Sequence, residues 1–206
     1  METARGISTP GKPEAEERTV DLLVEAFRQG KPGAFDAIVR AHQDRIYSFC
    51  LRMLSDREEA QDAAQEVFLS AWRNLSGFRG ESALSTWLVR IATNRCLNRI
   101  RQRNARTDRE IRPGSAGGEE EELPFQPEGR EEDRPDRVVQ NAELRTVLER
   151  ALGRLDPETR SLVLLSDVEG LSYEELSEAV GIPLGTVKSR LHRARMTLRR
   201  ILAPVV

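Results

Sequence analysis

Helical periodicity in two separate blocks constrains the fold of this 206-residue chain more than any other feature. Apolar residues recur at intervals of three and four over residues 18–103 and again over 137–201, and no segment alternates between apolar and polar residues. The clearest apolar stripe lies in the last predicted helix and consists of Val187, Leu191, Ala194, Leu198 and Ile201. The pattern predicts an all-α chain with two small helical domains.

Residues 104–136 separate the two blocks and differ from them in composition. They contain eleven acidic residues against five arginines, together with four of the ten prolines and four of the fourteen glycines. Such a segment has too little apolar surface to form a packed core. We therefore expect a flexible acidic linker between a first domain at 18–103 and a second at 137–206, and a disordered N-terminus at 1–17.

Five helices are predicted in the first domain. The first covers residues 20–29, the second begins at Pro32 and ends near residue 42, and the third ends near residue 54. The fourth, over residues 56–75, has acidic residues in its first turns, which suit the positive end of a helix dipole. Its predicted core stripe is Ala64, Val67, Phe68, Ala71, Trp72 and Leu75. A fifth helix is expected over residues 84–103.

The second domain carries clear helix-start signals after a first helix that ends near Leu155. Asp156-Pro157 has the form of an N-cap followed by proline at the first helical position. Ser172 and Glu175 have the spacing of a capping box. Gly181 then predicts a tight turn before a last helix from about residue 184, so the region reads as a helix-turn-helix.

Several classes of protein are excluded by composition. No apolar run approaches the ~20 residues that span a bilayer, and no signal-peptide core is present, so we expect a cytoplasmic protein without membrane insertion. Cys50, Cys96, His42 and His192 lack metal-ligand spacing, and both cysteines fall in apolar stretches typical of a core. We find no catalytic motif and expect neither a metal nor a cofactor.

The formal charge of −2 hides a strong segregation of charge. Residues 104–136 carry −6, so the rest of the chain carries +4. Residues 87–103 contain five arginines and no acid, and residues 183–200 contain six basic residues and no acid. These two segments are the candidates for binding a polyanion.

The basic residues of the last helix lie beside its apolar stripe, so they are expected to face solvent on a well-anchored helix. A helix of this kind fits the DNA major groove, where arginine and lysine read guanine. The expected groove readers are Thr186, Lys188, Ser189, His192 and Arg193, and the expected phosphate contacts are Arg190, Arg195 and Arg199. The alternative is a solvated, arginine-rich surface helix.

The first basic segment combines aromatic residues, amides and arginines, a mixture suited to single-stranded bases. The candidate residues are Phe78, Ser85, Thr86, Trp87, Arg90, Asn94, Arg95, Asn98 and Arg101. Trp87 with Leu88 and Ile91 could equally belong to a core. The arginines favour DNA binding more strongly, because no acid within the segment offsets them.

Three motifs together resemble the extracytoplasmic-function (ECF) sigma factors of bacterial RNA polymerase. They are DAAQEVFLSAW at 62–72, FRGESALSTWLVRIATN at 78–94, and LSYEEL at 171–176 with GTVKSRLHRAR at 185–195. The resemblance covers about residues 18–103 and 137–203. It implies a non-enzymatic polymerase subunit that directs the core enzyme to promoters and assists strand opening.

The resemblance also implies contacts. Asp62, Gln65 and Glu66 would bind the clamp helices of core polymerase, unless they are simply a solvated face. Phe78 and Asn94 match the positions that contact the melted minus-10 strand, and the last helix would read the minus-35 duplex. The second domain would bind the polymerase flap, for which exposed apolar residues among 162–168 are candidates. A cognate anti-sigma factor is also expected.

Two interpretations remain open at this stage. The resemblance implies that the linker threads the polymerase cleft toward the RNA exit path, and our hypothesis is that its acids mimic a polyanion there. The alternative is an ordinary flexible tether. The chief functional alternative is an autonomous helix-turn-helix regulator, which ordinarily needs two-fold symmetry. His192 stands where the family commonly has an aromatic or apolar residue, which leaves the base preference at that position open.

Overall fold

The computed structural model describes residues 22–110 and 146–203, and among these residues all regular structure is helical. The first unit, 22–110, and the second unit, 146–203, contain four helices each. The helices are α1 (22–28), α2 (Ala34–Leu54), α3 (Arg57–Asn74), α4 (Leu84–Glu110), α5 (146–153), α6 (Pro157–Val163), α7 (Tyr173–Val180) and α8 (Leu184–Leu202). The predicted all-α class with two helical units is confirmed.

Helix α2 is one continuous helix, so the prediction of two helices between Pro32 and residue 54 is wrong. Pro32 lies in the turn before the helix, and Gly33 with φ 77° precedes its first residue. The polar residues 42–45 contain neither glycine nor proline, so nothing in them breaks the hydrogen-bond ladder. They interrupt the apolar pattern without ending the helix.

Helix α3 begins as predicted, because the Asp56 carboxylate accepts a hydrogen bond from the Glu59 amide at 2.8 Å. Its core face consists largely of small residues, which allow the helices to pack closely; the buried residues are Ala60, Ala63, Ala64, Val67 and Ala71. Trp72 was predicted in the core stripe but is 54% exposed, so that prediction is wrong. Its ring lies edge-on to Phe27 and Phe35, with centroids 5.0 and 4.9 Å away.

Helix α4 extends to Glu110 rather than ending at Arg103. The start of the segment predicted as linker is therefore helical. Its buried residues pack on α2 and α3, and they include Cys96, which lies against Cys50 of α2. The hydrogen bond with Cys50 and the burial of both thiols raise the pKa of the Cys96 thiol. Both cysteines are buried in the core, as predicted.

Two helices of the second unit begin at the predicted N-caps. Asp156 accepts from the Thr159 amide at 2.9 Å with Pro157 next in the chain, and Ser172 and Glu175 complete the capping box. Between α6 and α7 the chain makes a π-helical turn, Leu164–Val168. Among the apolar residues predicted to touch the flap, Leu162 to Leu165 are buried and Val168 is 51% exposed.

The two units pack against each other, and their buried side chains form one continuous core. Helix α4 contacts α6 and α7, and α2 contacts α6. Residues 1–17 and most of the predicted linker lie outside the described residues, so the expectations about them remain predictions.

Candidate nucleic-acid interface

Helix α8 has the two faces expected of a recognition helix. Val187, Leu191, Ala194 and Leu198 are buried, and Ile201 is partly buried against the same core. The outward face of the helix carries Lys188, Ser189, His192, Arg193, Arg195 and Arg199, all exposed, while Thr186 and Arg190 are half-buried. The geometry therefore presents a polar and basic ridge on a rigid support.

The turn between α7 and α8 is held by local hydrogen bonds. Gly181 adopts φ 72° and donates its amide to the Ser177 carbonyl at 2.9 Å. The Ser177 hydroxyl donates to the Ile182 carbonyl at 2.6 Å. A side chain at position 181 would be strained by the positive φ angle, which explains why glycine ends α7. These contacts fix the angle at which α8 leaves the turn.

Two arginines of α8 are engaged within the second unit. Arg195 forms hydrogen bonds with Asp167 at 2.5 Å, Ser166 at 3.0 Å and the Tyr173 hydroxyl at 3.4 Å. The bond to Asp167, followed by that to Tyr173, raises the pKa of Arg195. Arg190 forms an ion pair with Glu158 at 2.7 Å, which lowers the pKa of Glu158. Both arginines were predicted as phosphate contacts, and in this structure both charges are balanced by nearby acids.

The remaining exposed residues near the start of α8 are arranged by their own helix. The Ser189 hydroxyl donates to the Thr186 carbonyl at 3.1 Å, and Arg193 Nε donates to the Ser189 carbonyl at 3.3 Å. Lys188 Nζ lies 5.9 Å from the centroid of the Tyr173 ring. Tyr173, at the start of α7, was absent from the predicted site. The sequence feature that could have indicated Tyr173 is its position directly after the Ser172 N-cap.

Two of the predicted minus-10 residues, Phe78 and Ser85, lie in the interior of this structure. Their exposure is 7% and 4%. The Phe78 ring packs on Trp87 with centroids 5.4 Å apart, and the Phe78 carbonyl accepts a hydrogen bond from Arg28. Trp87 is half-buried against the core. The Phe78–Trp87 pair thus supports the loop before α4 from inside.

The other predicted residues of α4 lie on its outer surface. Asn94, Arg95, Asn98 and Arg101 are exposed, and Thr86 and Arg90 are half-buried. An open cleft of about 490 Å³ runs between α3 and α4; it is lined by Glu59, Glu66, Arg95, Asn98, Arg99, Gln102, Arg103 and Arg106. Of the predicted residues, Arg95 and Asn98 line this cleft, whereas Thr86, Arg90, Asn94 and Arg101 do not.

Acids on other helices offset the arginines of α4. Glu66 lies 2.7 Å from Arg99 and 3.9 Å from Arg95, and Glu59 lies 3.6 Å from Arg103. Arg90 and Arg101 pair with acids of the second unit, Glu178 at 3.5 Å and Glu158 at 3.4 Å. The sequence argument that no acid offsets these arginines is correct within residues 87–103, but acids of other helices lie beside the arginines in the folded chain.

The three residues predicted to bind core polymerase lie together on α3. Asp62 and Gln65 are exposed, whereas Glu66 is half-buried and accepts a hydrogen bond from Arg99. Their location on one side of a helix whose other side is buried leaves them accessible to a basic partner.

Within residues 22–110 and 146–203, no group of His, Cys, Asp and Glu side chains has the arrangement of a metal site. Among the same residues, no helix is both long and apolar enough to span a membrane.

Comparison with known proteins identifies both halves of the chain. Residues 38–106 match the Sigma-70 region 2 family, and residues 145–198 match the Sigma-70 region 4 family. Among solved structures, the chain resembles the sigma factor RpoE in complex with the anti-sigma factor NepR from Bartonella quintana. The TM-score is 0.63 at 23% identity, covering 83% of this chain and 98% of that one. CnrH in complex with the cytosolic domain of CnrY gives a TM-score of 0.57 at 23% identity, covering 89% and 96%.

Three curated relatives are similar over nearly their full length. The RNA polymerase sigma-H factor of Pseudomonas aeruginosa is 36% identical over 89% of this chain and 94% of its own. The ECF sigma factor SigW of Bacillus subtilis is 34% identical over 89% and 97%, and the ECF sigma-E factor of Escherichia coli is 32% identical over 93% and 98%. The chain therefore belongs to the extracytoplasmic-function family of RNA polymerase sigma factors.

Proposed function

We propose that this sigma factor recognises promoters in two parts, with α8 reading the minus-35 duplex and α4 contacting the melted minus-10 strand. The observation that carries the proposal is the outward ridge of α8, where Lys188, Ser189, His192 and Arg193 project from a helix whose opposite stripe is buried. A helix presented in this way can enter a major groove without rearranging its own support.

On α4 we assign base contacts to Asn94 and Asn98 and strand contacts to Thr86, Arg90, Arg95 and Arg101. Amides read the edges of unpaired bases, and arginines neutralise the backbone. Phe78 and Ser85 are left out because they are buried. Trp87 supports the loop through its contact with Phe78.

The chain itself carries out no chemistry in this proposal, and core polymerase supplies the catalytic site. Asp62, Gln65 and Glu66 form the docking face for the clamp helices, and the cytoplasm is where the complex acts. Val168 is the candidate contact for the flap, since it is the exposed apolar residue in the predicted segment. The solved relatives, which are described as complexes with NepR and CnrY, favour an anti-sigma factor as a further partner.

The decisive experiment mixes the purified protein with core polymerase and a promoter library. Co-elution with the core enzyme and transcripts that start at defined promoters are expected. Tight binding to duplex DNA by the protein alone, without any effect on core polymerase, would instead support the autonomous regulator. Transcript mapping in the same reactions would identify the minus-10 and minus-35 sequences.

A further inference from the structure

An acidic side chain lies beside the stripe of α8 that is proposed to face DNA. Lys188, His192, Arg195 and Arg199 follow one another at helical spacing along the exposed side of the helix. Arg195 forms an ion pair with Asp167, which belongs to the π-helical turn between α6 and α7. A carboxylate at the edge of a DNA-binding surface repels phosphates. Its position there suggests that its charge acts on the neighbouring arginine.

The contact between Arg195 and Asp167 involves both carboxylate oxygens. Arg195 Nη2 lies 2.5 Å from Asp167 Oδ1, and Arg195 Nε lies 3.3 Å from Asp167 Oδ2. The same guanidinium donates to the Ser166 hydroxyl at 3.0 Å and to the Tyr173 hydroxyl at 3.4 Å. A single exposed ion pair is weak, but three side chains that converge on one planar guanidinium hold it in place. Arg195 is therefore fixed against the turn and the start of α7.

The backbone of the turn places two of these three acceptors. Leu164–Val168 is π-helical, and its first two residues are buried in the core. Ser166 is half-buried and Asp167 is exposed, and both contact Arg195. A π-helical turn carries an extra residue, which changes the direction in which the following side chains leave the helix. Such turns are rare and often lie at functional sites.

Arg195 would have to leave this network to reach a DNA phosphate. Its release would break the contacts with three side chains and leave Asp167 unpaired beside the phosphate backbone. Like charges that face each other across an interface are unfavourable. The pair within the protein is already formed and needs no further ordering, so it competes effectively with a phosphate.

A phosphate contact by Arg195 would add affinity for DNA of any sequence. Contacts to phosphates position a protein on the duplex but carry no sequence information. A promoter-binding protein meets a very large number of other sites, and affinity for those sites competes with promoter binding. Withholding one arginine of α8 from the backbone therefore lowers binding to DNA that is not a promoter.

We propose that Asp167 is a positioning residue that withholds Arg195 from DNA phosphates and so limits the sequence-independent affinity of α8. The inference rests on the proposed function, in which α8 binds duplex DNA. It differs from the expectation drawn from the helix alone, in which Arg195 binds a phosphate. The groove readers at the start of α8 are unaffected, because they lie outside the network around Asp167.

The first test measures binding of the full chain to a labelled random-sequence duplex at several salt concentrations. Asp167→Asn should free Arg195 to contact a phosphate. The slope of log affinity against log salt should then steepen by about 0.9, so the gain in affinity over the parent shrinks roughly threefold when salt is raised about fourfold. Glu174→Gln removes the same charge from an exposed position on α7 and should leave the slope unchanged. Equal slopes for the two variants would overturn the proposal.

The second test removes both charges at once. Asp167→Asn combined with Arg195→Gln preserves the net charge, and the two side chains are 40% and 45% exposed, so no buried group is lost. The double variant should reproduce the slope of the parent, because Arg195 makes no phosphate contact in the parent. A slope shallower by about 0.9 would show that Arg195 binds a phosphate in spite of Asp167, which contradicts the proposal.

These outcomes are separable from a failure of the proposed function. Promoter-dependent transcription by the parent protein with core polymerase tests that function whatever the slopes show. Normal transcription together with equal slopes for Asp167→Asn and Glu174→Gln would refute only the positioning role of Asp167.

Discussion

The two basic helices differ in how much of their positive charge remains available. On α8, Arg190 and Arg195 form ion pairs with acids of the same unit. Lys188, His192 and Arg193 form an exposed ridge beside them. On α4, acids from α3, α6 and α7 lie near five successive arginines. The ridge of α8 that is proposed to read duplex DNA remains accessible, whereas the face of α4 that is proposed to contact the melted strand is partly neutralised. A count of charges along one helix does not reveal this difference.

The largest expected effect is on base recognition by α8. Arg193→Ala should remove about 1–3 kcal/mol of discrimination at one minus-35 base pair, because a guanidinium reading a base edge is lost. Binding to promoters carrying each base at that position measures the effect. Arg199→Ala, a predicted phosphate contact, should weaken all sequences equally. The same uniform weakening in Arg193→Ala would make Arg193 a phosphate contact.

The next effect concerns α4. Asn94→Ala should change the preferred minus-10 base by about 1 kcal/mol, which corresponds to one hydrogen bond, while core binding is preserved. Transcription from templates that vary at each minus-10 position, together with core co-elution, measures both quantities. Asn74→Ala is the control, since that amide donates to Ser70 of its own helix at 2.7 Å. Equal effects of the two substitutions would rule out a base contact at Asn94.

A smaller effect on single-strand binding is expected for Arg95 and Arg99 of α4, and it should differ between the two. Arg95→Gln should weaken single-strand binding and reduce the steepness of its salt dependence by about 0.7 per lost phosphate contact. Arg99→Gln should change both less, because Arg99 lies 2.7 Å from Glu66 and Arg95 lies 3.9 Å away. Salt titrations of the two variants compare them directly. A larger effect of Arg99 would mean that Glu66 releases it when DNA binds.

The smallest effect is the pH dependence of the Glu158 contacts. Its hydrogen bond from Arg190 holds its pKa below the ordinary 4.5, so its stabilising contribution is complete above 4.5 and is lost as the pH falls through the lowered value. Because Glu158 is partly exposed, the contribution is about a few tenths of a kcal/mol. The difference in Tm between the parent and Glu158→Gln should therefore shrink below pH 4.5. A difference that persists under strongly acidic conditions would show that the charge of Glu158 is not its source.

Local signals predicted the helices of the second unit well, because caps act over three or four residues. Asp156, Ser172 and Gly181 each have the role that their neighbours in sequence indicate. The same local reasoning failed at α2, where a polar stretch resembled a break. It also failed at the end of α4, because the helix continues to Glu110, past the change in composition at residue 104.

Aromatic residues show the limit of periodicity more clearly. Trp72 has the spacing of a core residue and is exposed, while Phe78 was predicted to stack on DNA bases and is buried. A helix position at the edge of the apolar stripe is buried or exposed according to what the neighbouring helices cover. Here Phe27 and Phe35 contact the Trp72 ring but leave the residue 54% exposed. Trp87 packs on Phe78, which is 7% exposed.

The sequence by itself determined the all-α class, the helix-turn-helix and the outward face of α8, since each depends on spacings within one or two helical turns. The resemblance to the family was carried by three longer motifs. Only the tertiary structure decided which arginines are neutralised and how the units meet. The pairing acids lie far from their arginines in sequence, with Asp167 separated from Arg195 by 28 positions and Glu169 from Arg45 by 124. Electrostatic interactions depend on distance in space, so charge availability emerges only once the chain has folded.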